Sequence, residues 1–456
     1  MGSQPLKARA SKIAQAAIGI AAFLFFVCVK PLGMNFAQSA VTGGIVMAVL
    51  WWTLKTFNKI FSSVVLLAIF TFLSGVSPKT VYSFPLGETF YMIVFTYLFS
   101  QALVNAGITS GVLTPLIRKF AVTPFRCIVT AIVLLVATIP VIPQPLARLI
   151  IVAGVFSDYL DNTDVTPVTK TVIMYAIFAF YAVVNMSALD ADIIMNNVAA
   201  QLSGVTITNG QWIRAMAVPT ALYCAAILLL FSVVFRKEIG RARLTYCGKK
   251  SEAFDRKQKI TVAVVLVTVI LWMTQSLHHI NATLITVTSV AVLFALKVLT
   301  LKDLKCIDVT TLVFLTAAFS IGGVMKGCGA AEIVFGLFGG IFPSHFSVLY
   351  LLVMTFVVMA LHMVLGSNTT TLSVVVPGLE VICGGLMPAD TIMYVAIAAV
   401  SFHAILPFHS VALMVGSSNG YYPDKYVSRF GIPATPLVFL SVAVLFYGWW
   451  RLIGIL

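Results

Sequence analysis

Leu365-Gly366-Ser367-Asn368-Thr369-Thr370-Thr371 is a run of small polar residues set between two apolar arms. The arm before it, Val353 to Val364, holds His362 among apolar neighbours, and the arm after it, Leu372 to Met387, holds Ser373 and Glu380. In a bilayer, backbone and hydroxyl groups cannot be left without partners. A Gly-Ser-Asn-Thr break at membrane depth is therefore tolerated only where it lines a cavity or is buried in protein. The stretch reads as the tip of a re-entrant hairpin and a candidate binding site. The alternative is a tight loop at the membrane surface.

The whole chain supports a membrane setting. Of its 456 residues, 60% are hydrophobic and 10% charged, which is the composition of a polytopic membrane protein rather than a soluble enzyme. The longest polar stretch, Arg236 to Lys259, is too short and too basic to hold a core. Lys7, Arg9 and Lys12 precede an apolar run without a small-residue cleavage pattern, so the first helix is expected to be retained. The seven cysteines are scattered without metal-type spacing, and neither a disulfide framework, a metal site nor any other cofactor is expected.

Apolar windows long enough to span fall near 12–29, 36–55, 58–76 and 88–117. An apolar stretch, 125–157, is then broken by Pro143-Gln144-Pro145. Each proline lacks an N–H and restricts its predecessor, so this is expected to be a second hairpin tip. A segment 170–199, weakened by Asn185, Ser187 and Asp190, and a helix 213–235 complete a first half. After the basic linker 236–259 the pattern restarts with helices near 260–278, 281–300 and 309–338 and a hairpin 346–387. A segment 391–417, interrupted at Pro407-Phe408-His409-Ser410, and a helix 433–455 follow. The expected fold is all-α, with eleven spans and two hairpins.

The halves resemble each other. Val94-Phe95, Phe99-Ser100, Val104 and Gly107 recur as Val313-Phe314, Phe319-Ser320, Val324 and Gly327. The hairpin tips are offset by 224 residues, and the same offset carries Asn185 onto His409. With a cytoplasmic N-terminus, 23 of the 29 Lys and Arg fall in cytoplasmic segments, nine of them in the linker. Such a distribution obeys the positive-inside rule, and it makes the net charge of +14 a topological signal rather than a nucleic-acid footprint. The C-terminus is then outside. Two five-helix units of opposite orientation are the design of many secondary transporters, whose sites lie at broken elements near the midplane.

The Ser367-Asn368-Thr369 tip, followed by the proline break at Leu406-Pro407, resembles the divalent anion:sodium symporter family, the INDY-like dicarboxylate transporters. This resemblance extends over nearly the whole chain. It implies a homodimer in the cell membrane that moves a dicarboxylate of the succinate, malate, fumarate or 2-oxoglutarate class by an elevator-like shift. Helices 1–4 and 7–9 would be the scaffold, and the hairpins with helices 5, 6, 10 and 11 the mobile part. It further implies that Asn368 and Thr369 contact one carboxylate, with Ser367 at the tip, and that tip and broken-helix backbone groups hold sodium.

The first tip departs from that pattern. It reads Pro143-Gln144-Pro145, with Arg148 three residues beyond, and His409 stands where the family offers a backbone group beside sodium. Arg148 and His409 are therefore expected to replace sodium with built-in charge, because a dicarboxylate entering a low-dielectric site needs positive compensation. An empty carrier with such a buried cation would reorient slowly, so exchange of one dicarboxylate for another is expected. Sodium- or proton-coupled symport is the alternative. Gln144 is a candidate substitute donor for the missing Asn. Asn185 and Ser410 are candidate lining residues.

Other readings stay open at this point. Arg148 is alternatively a structural group paired with Asp190 or Asp158. His409 is alternatively a neutral ring satisfied by freed backbone, and Asp190 with Asp192 a proton relay. Trp51-Trp52 and Trp449-Trp450 read as membrane-interface anchors. No His-Glu-x-x-His, Gly-x-Ser-x-Gly or intramembrane carboxylate pair points to an enzyme.

Overall fold

The computed structural model describes residues 3–106, 108–240, 243–247 and 255–456, with the side chains of 3–11, 108–112, 257, 273, 275, 276 and 408 left aside. Lys7 and Arg9 thus lie outside the described side chains, although the helix that carries them is continuous over Ser3–Val29. Among the described residues the secondary structure is helical, apart from an isolated bridge between Thr163 and Tyr246. Seven helices among the described residues are long and apolar enough to cross a membrane, and several shorter apolar ones accompany them. The protein is an all-α polytopic membrane protein.

Both hairpins form where proline or glycine forbids a continuous helix. Pro124–Ala137 and Pro145–Asp161 are separated by the Pro143 turn, and Val348–Leu365 and Asn368–Cys383 by Gly366. Both expected helix breaks are present as well. Pro167–Val184 gives way at Asn185 to two short 3-10 turns before Met195–Leu202. Ala389–Phe402 gives way to a turn at Pro407–His409 before Val411–Ser418. The element order of the first half therefore recurs in the second.

Some boundaries moved for local reasons. The last helix begins at Lys425 rather than near 433, carrying Pro433 and Pro436 within it, and passes through a π-helical turn at Ser441–Phe446. Asn209–Val234 begins at a Thr208/Gln211 capping box, earlier than the apolar run suggested. Arg256–Met273 begins at an Asp255/Gln258 box for the same reason.

Two compact units are present, and each draws on both halves of the sequence. One comprises 1–90, 198–206 and 308–400; the other comprises 91–197, 207–307 and 401–456. The second hairpin lies in the first of these units and the first hairpin in the second. Each hairpin packs on its nearest partners. Gly322, on helix Val309–Gly327, lies so close to Pro377 that an added Cβ would stand 2.9 Å from its Cγ. Thr53 Oγ1 donates to Leu365 O (3.1 Å), tying the end of Phe36–Thr53 to the second tip.

The tryptophans correct one expectation, because three of the four are buried in protein. Trp51 and Trp52 are 4% and 6% exposed, and Trp52 packs edge-on against Phe314 at 4.9 Å. In the second unit Trp450 is fully buried and its Nε1 donates to Ala215 O (3.0 Å), while half-buried Trp449 donates to Arg214 O (2.8 Å). Pro219 explains the first of these bonds. It has no N–H to donate to the carbonyl four residues back, which is that of Ala215.

The linker is not wholly a solvated tether. Over 243–247 it lies across both arms of the first hairpin: Leu244 N donates to Val122 O (3.0 Å) and Cys247 N to Asn162 O (2.8 Å). Tyr246 stacks on Tyr159 (5.4 Å) and receives the Arg118 guanidinium on its ring (3.7 Å). At the linker's start Glu238 pairs with Arg429 (2.6 Å).

Candidate functional site

The second tip is built by a left-handed glycine. Gly366 adopts φ 62°, ends helix Val348–Leu365 and donates its N–H to His362 O (2.9 Å). A side chain there would be strained, and the reversal lets residue 368 return to residue 362. Asn368 Oδ1 and His362 Nε2 are 3.0 Å apart. Ser367 begins helix Asn368–Cys383, yet no side chain caps that helix. Its first N–H groups have no intrahelical partner and form, with the helix dipole, a ready anion site.

The side chains of the tip divide in two. Thr371 and Ser373 spend their hydroxyls on Ser367 O (2.8 Å) and Thr369 O (2.7 Å). Ser367, Asn368 and Thr369 are half-buried; Ser367 Oγ and Thr369 Oγ1 stand 3.4 Å apart, at the edge of hydrogen bonding. The Asn368 amide NH2, the Thr369 hydroxyl and the helix N-terminus all lie in one turn and all can donate. Such a set suits an acceptor-only ligand, which is what an anion is.

The first tip is closed by its own residues. Pro143, Gln144 and Pro145 are all buried. Gln144 caps helix Pro145–Asp161 through a bond from Ala147 N to its Oε1, and Pro145, in the first turn, brings no N–H. The acceptor of Gln144 is therefore committed within the protein, which leaves its NH2 as the group it can offer.

Arg148 is fully buried, and both its terminal nitrogens are engaged. Nη1 donates to Ile142 O (3.0 Å); Nη2 donates to Asn185 Oδ1 (2.6 Å) and to Ala191 O. Its Nε has no partner among the described residues. Asn185 passes the interaction on, since its Nδ2 donates to Asp192 Oδ2 (3.2 Å). Asp192 Oδ1 in turn accepts from Ile194 N (3.2 Å) and Met195 N (2.9 Å). The acidic partner of Arg148 is thus Asp192, reached through Asn185, whereas Asp190 and Asp158 are exposed. Both oxygens of Asp192 are bonded within the protein. Its carboxylate puts a countercharge near the guanidinium, which removes the expected penalty of an empty site holding an unbalanced cation.

Residues that the sequence reading passed over hold this break. Asn196 is buried, and its Nδ2 donates to Asn185 O (2.9 Å) and Ala188 O (2.8 Å). Trp212 Nε1 donates to Met186 O (3.0 Å), and Leu189 N donates to Asn209 Oδ1 (2.9 Å). Freed backbone at a helix break needs such partners, but nothing in linear spacing says which residues supply them.

The second break is held similarly. His409 is fully buried, and its Nδ1 accepts from Ile405 N (3.2 Å) and Leu406 N (3.4 Å). An Nδ1 that accepts N–H bonds carries no proton, so the ring in this arrangement is the neutral, backbone-satisfying histidine and not a fixed cation. Ser428 Oγ donates to Ile405 O (2.9 Å). Gly431 lets its helix approach the same turn, because an added Cβ would overlap Ala404 O and stand 3.0 Å from Ile405 Cα. Ser410 is buried as the residue before Val411–Ser418, without a side-chain capping bond.

Residues 10–456 match the family described as the sodium:sulfate symporter transmembrane region. The chain belongs to that family. It is an integral membrane transporter of the secondary type whose substrate is an anion, and membership in a transporter family points away from an enzyme. No curated protein matches the chain. This is the family grouping that the Ser367-Asn368-Thr369 tip indicated.

Proposed function

We propose that this sodium:sulfate symporter family member carries a di- or tricarboxylate without sodium, and does so fastest by exchange. One observation carries the reading. Arg148 occupies Ile142 O, Asn185 Oδ1 and Ala191 O, a tip carbonyl, a side-chain carbonyl and a broken-helix carbonyl. Three convergent oxygens are the ligands a hard cation would use, and here a guanidinium stands among them. In the second half Ile405 O is likewise taken, by Ser428.

Exchange follows from the second tip rather than from the arginine. The donors at Asn368 and Thr369 are satisfied when an anion is bound. A donor without a partner costs about 1–3 kcal/mol once crossing the membrane occludes it from water, so an empty carrier would return more slowly than a loaded one. The Ser-Asn-Thr tip favours a carboxylate over sulfate through its resemblance to dicarboxylate carriers. The same reading includes a homodimer in the cell membrane, moving by an elevator-like shift, with the N-terminus cytoplasmic and the C-terminus outside.

Counterflow in proteoliposomes tests it. Labelled succinate should enter faster into vesicles preloaded with unlabelled succinate, equally well in sodium and in choline media, and excess sulfate should compete weakly. Uptake that requires sodium and ignores internal succinate would return the protein to the symporter reading, and stronger competition by sulfate would change the substrate.

A further inference from the structure

We infer that His362 is a positioning residue for the anion site, holding the Asn368 amide so that its NH2, and not its carbonyl, is offered to the ligand; this rests on the reading of Asn368 as an anion contact. His362 lies in the last turn of helix Val348–Leu365, fully buried, and takes part in the tip twice. Its carbonyl accepts the Gly366 N–H that closes the helix (2.9 Å), and its Nε2 is 3.0 Å from Asn368 Oδ1. An amide oxygen can only accept, so Nε2 is the protonated nitrogen and the donor.

The consequence is chemical. A free asparagine presents a carbonyl and an NH2 with equal ease and can turn either toward a ligand. With Oδ1 engaged by a buried ring, turning would place NH2 against an N–H donor. The amide is thereby made a donor toward the ligand, which fits an anion and withholds the carbonyl oxygen from a cation. Leu365 O is also engaged, by Thr53 Oγ1, so the base of the tip is held from a second side. The hydroxyls of Thr371 and Ser373 are spent on the helix's own carbonyls.

The test compares wild type with His362→Leu, His362→Gln, His362→Asn, Asn368→Ala and the double variant Asn368→Ala/His362→Leu. Each is purified, checked for a monodisperse folded peak, and measured for succinate binding and for counterflow KM and maximal rate. Loss of one buried hydrogen bond that orients a ligand donor should raise Kd and KM about tenfold in His362→Leu, with the maximal rate within about twofold. His362→Gln, whose amide NH2 can reach Asn368, should stay near wild type. In the Asn368→Ala background His362→Leu should add nothing, because the group it positions is gone. A wild-type KM in His362→Leu, or effects of the two substitutions that simply add, overturns the inference. If the leucine variant does not fold, His362→Asn, polar but too short to reach, takes its place under the same criteria. Unchanged binding in Asn368→Ala overturns instead the reading of the tip as the anion site.

Discussion

Arg148 Nη2 lies 2.6 Å from Asn185 Oδ1, joining the first hairpin to the residue at which the next membrane helix breaks. The bond replaces one expectation with another. Arg148 is a built-in cation, but it is spent on protein oxygens and balanced by Asp192 through Asn185. Replacing it with methionine would strand three oxygens and a buried carboxylate. We expect a loss of about 3–5 kcal/mol, as for breaking other buried charge pairs, and a smaller loss for Asn185→Ala. Thermal unfolding in detergent, followed by tryptophan fluorescence, gives the ranking.

Gln144 separates a structural from a substrate role at the first tip. Because its side chain caps helix Pro145–Asp161, Gln144→Ala should cost about 1 kcal/mol of stability and leave succinate affinity within about twofold. A large loss of affinity with unchanged stability would restore it as a ligand contact.

Gly431 is where the second break is approached by a neighbouring helix. Gly431→Ala would push a Cβ into Ala404 O and displace the turn that His409 holds. We expect overpacking to cost about 1–3 kcal/mol and transport to fall further than stability alone explains. Counterflow normalised to folded protein measures that excess.

Trp450 and Pro219 should show coupled effects. Trp450→Phe leaves Ala215 O without its donor, at about 1–3 kcal/mol, whereas Pro219→Ala supplies a backbone N–H to the same carbonyl. Trp450→Phe should therefore be milder in the Pro219→Ala background. A double-mutant cycle on unfolding midpoints reads this.

Glu238 gives a pH dependence outside the membrane. Its hydrogen bond to Arg429 holds its carboxyl below the usual range, with the burial around it opposing. A depressed folded-state pKa stabilises above the unfolded value, near 4.3 for Glu, and that contribution is lost as pH falls through the folded value. For a partly exposed pair it amounts to at most about 1 kcal/mol. Glu238→Gln should remove this part of the acid-side loss of stability, visible as a flatter unfolding midpoint between about pH 5 and pH 3.

Much of this protein was legible in its sequence because a bilayer leaves few options. Apolar length marks a span, and Pro143-Gln144-Pro145, Gly366, Asn185 and Pro407 mark breaks, since each removes a donor, takes a left-handed conformation or offers a polar group that lipid will not satisfy. The spacing of those breaks showed the repeat, and Ser367-Asn368-Thr369 showed the family. What these breaks bond to was decided only by tertiary structure. Arg148 reaches oxygens 6, 37 and 43 residues away in sequence, and His409 turns its ring to nearby N–H groups instead of carrying charge. A buried polar group takes whichever partner the packing brings within 3 Å. That choice depends on the approach of whole helices, which no local pattern of residues records.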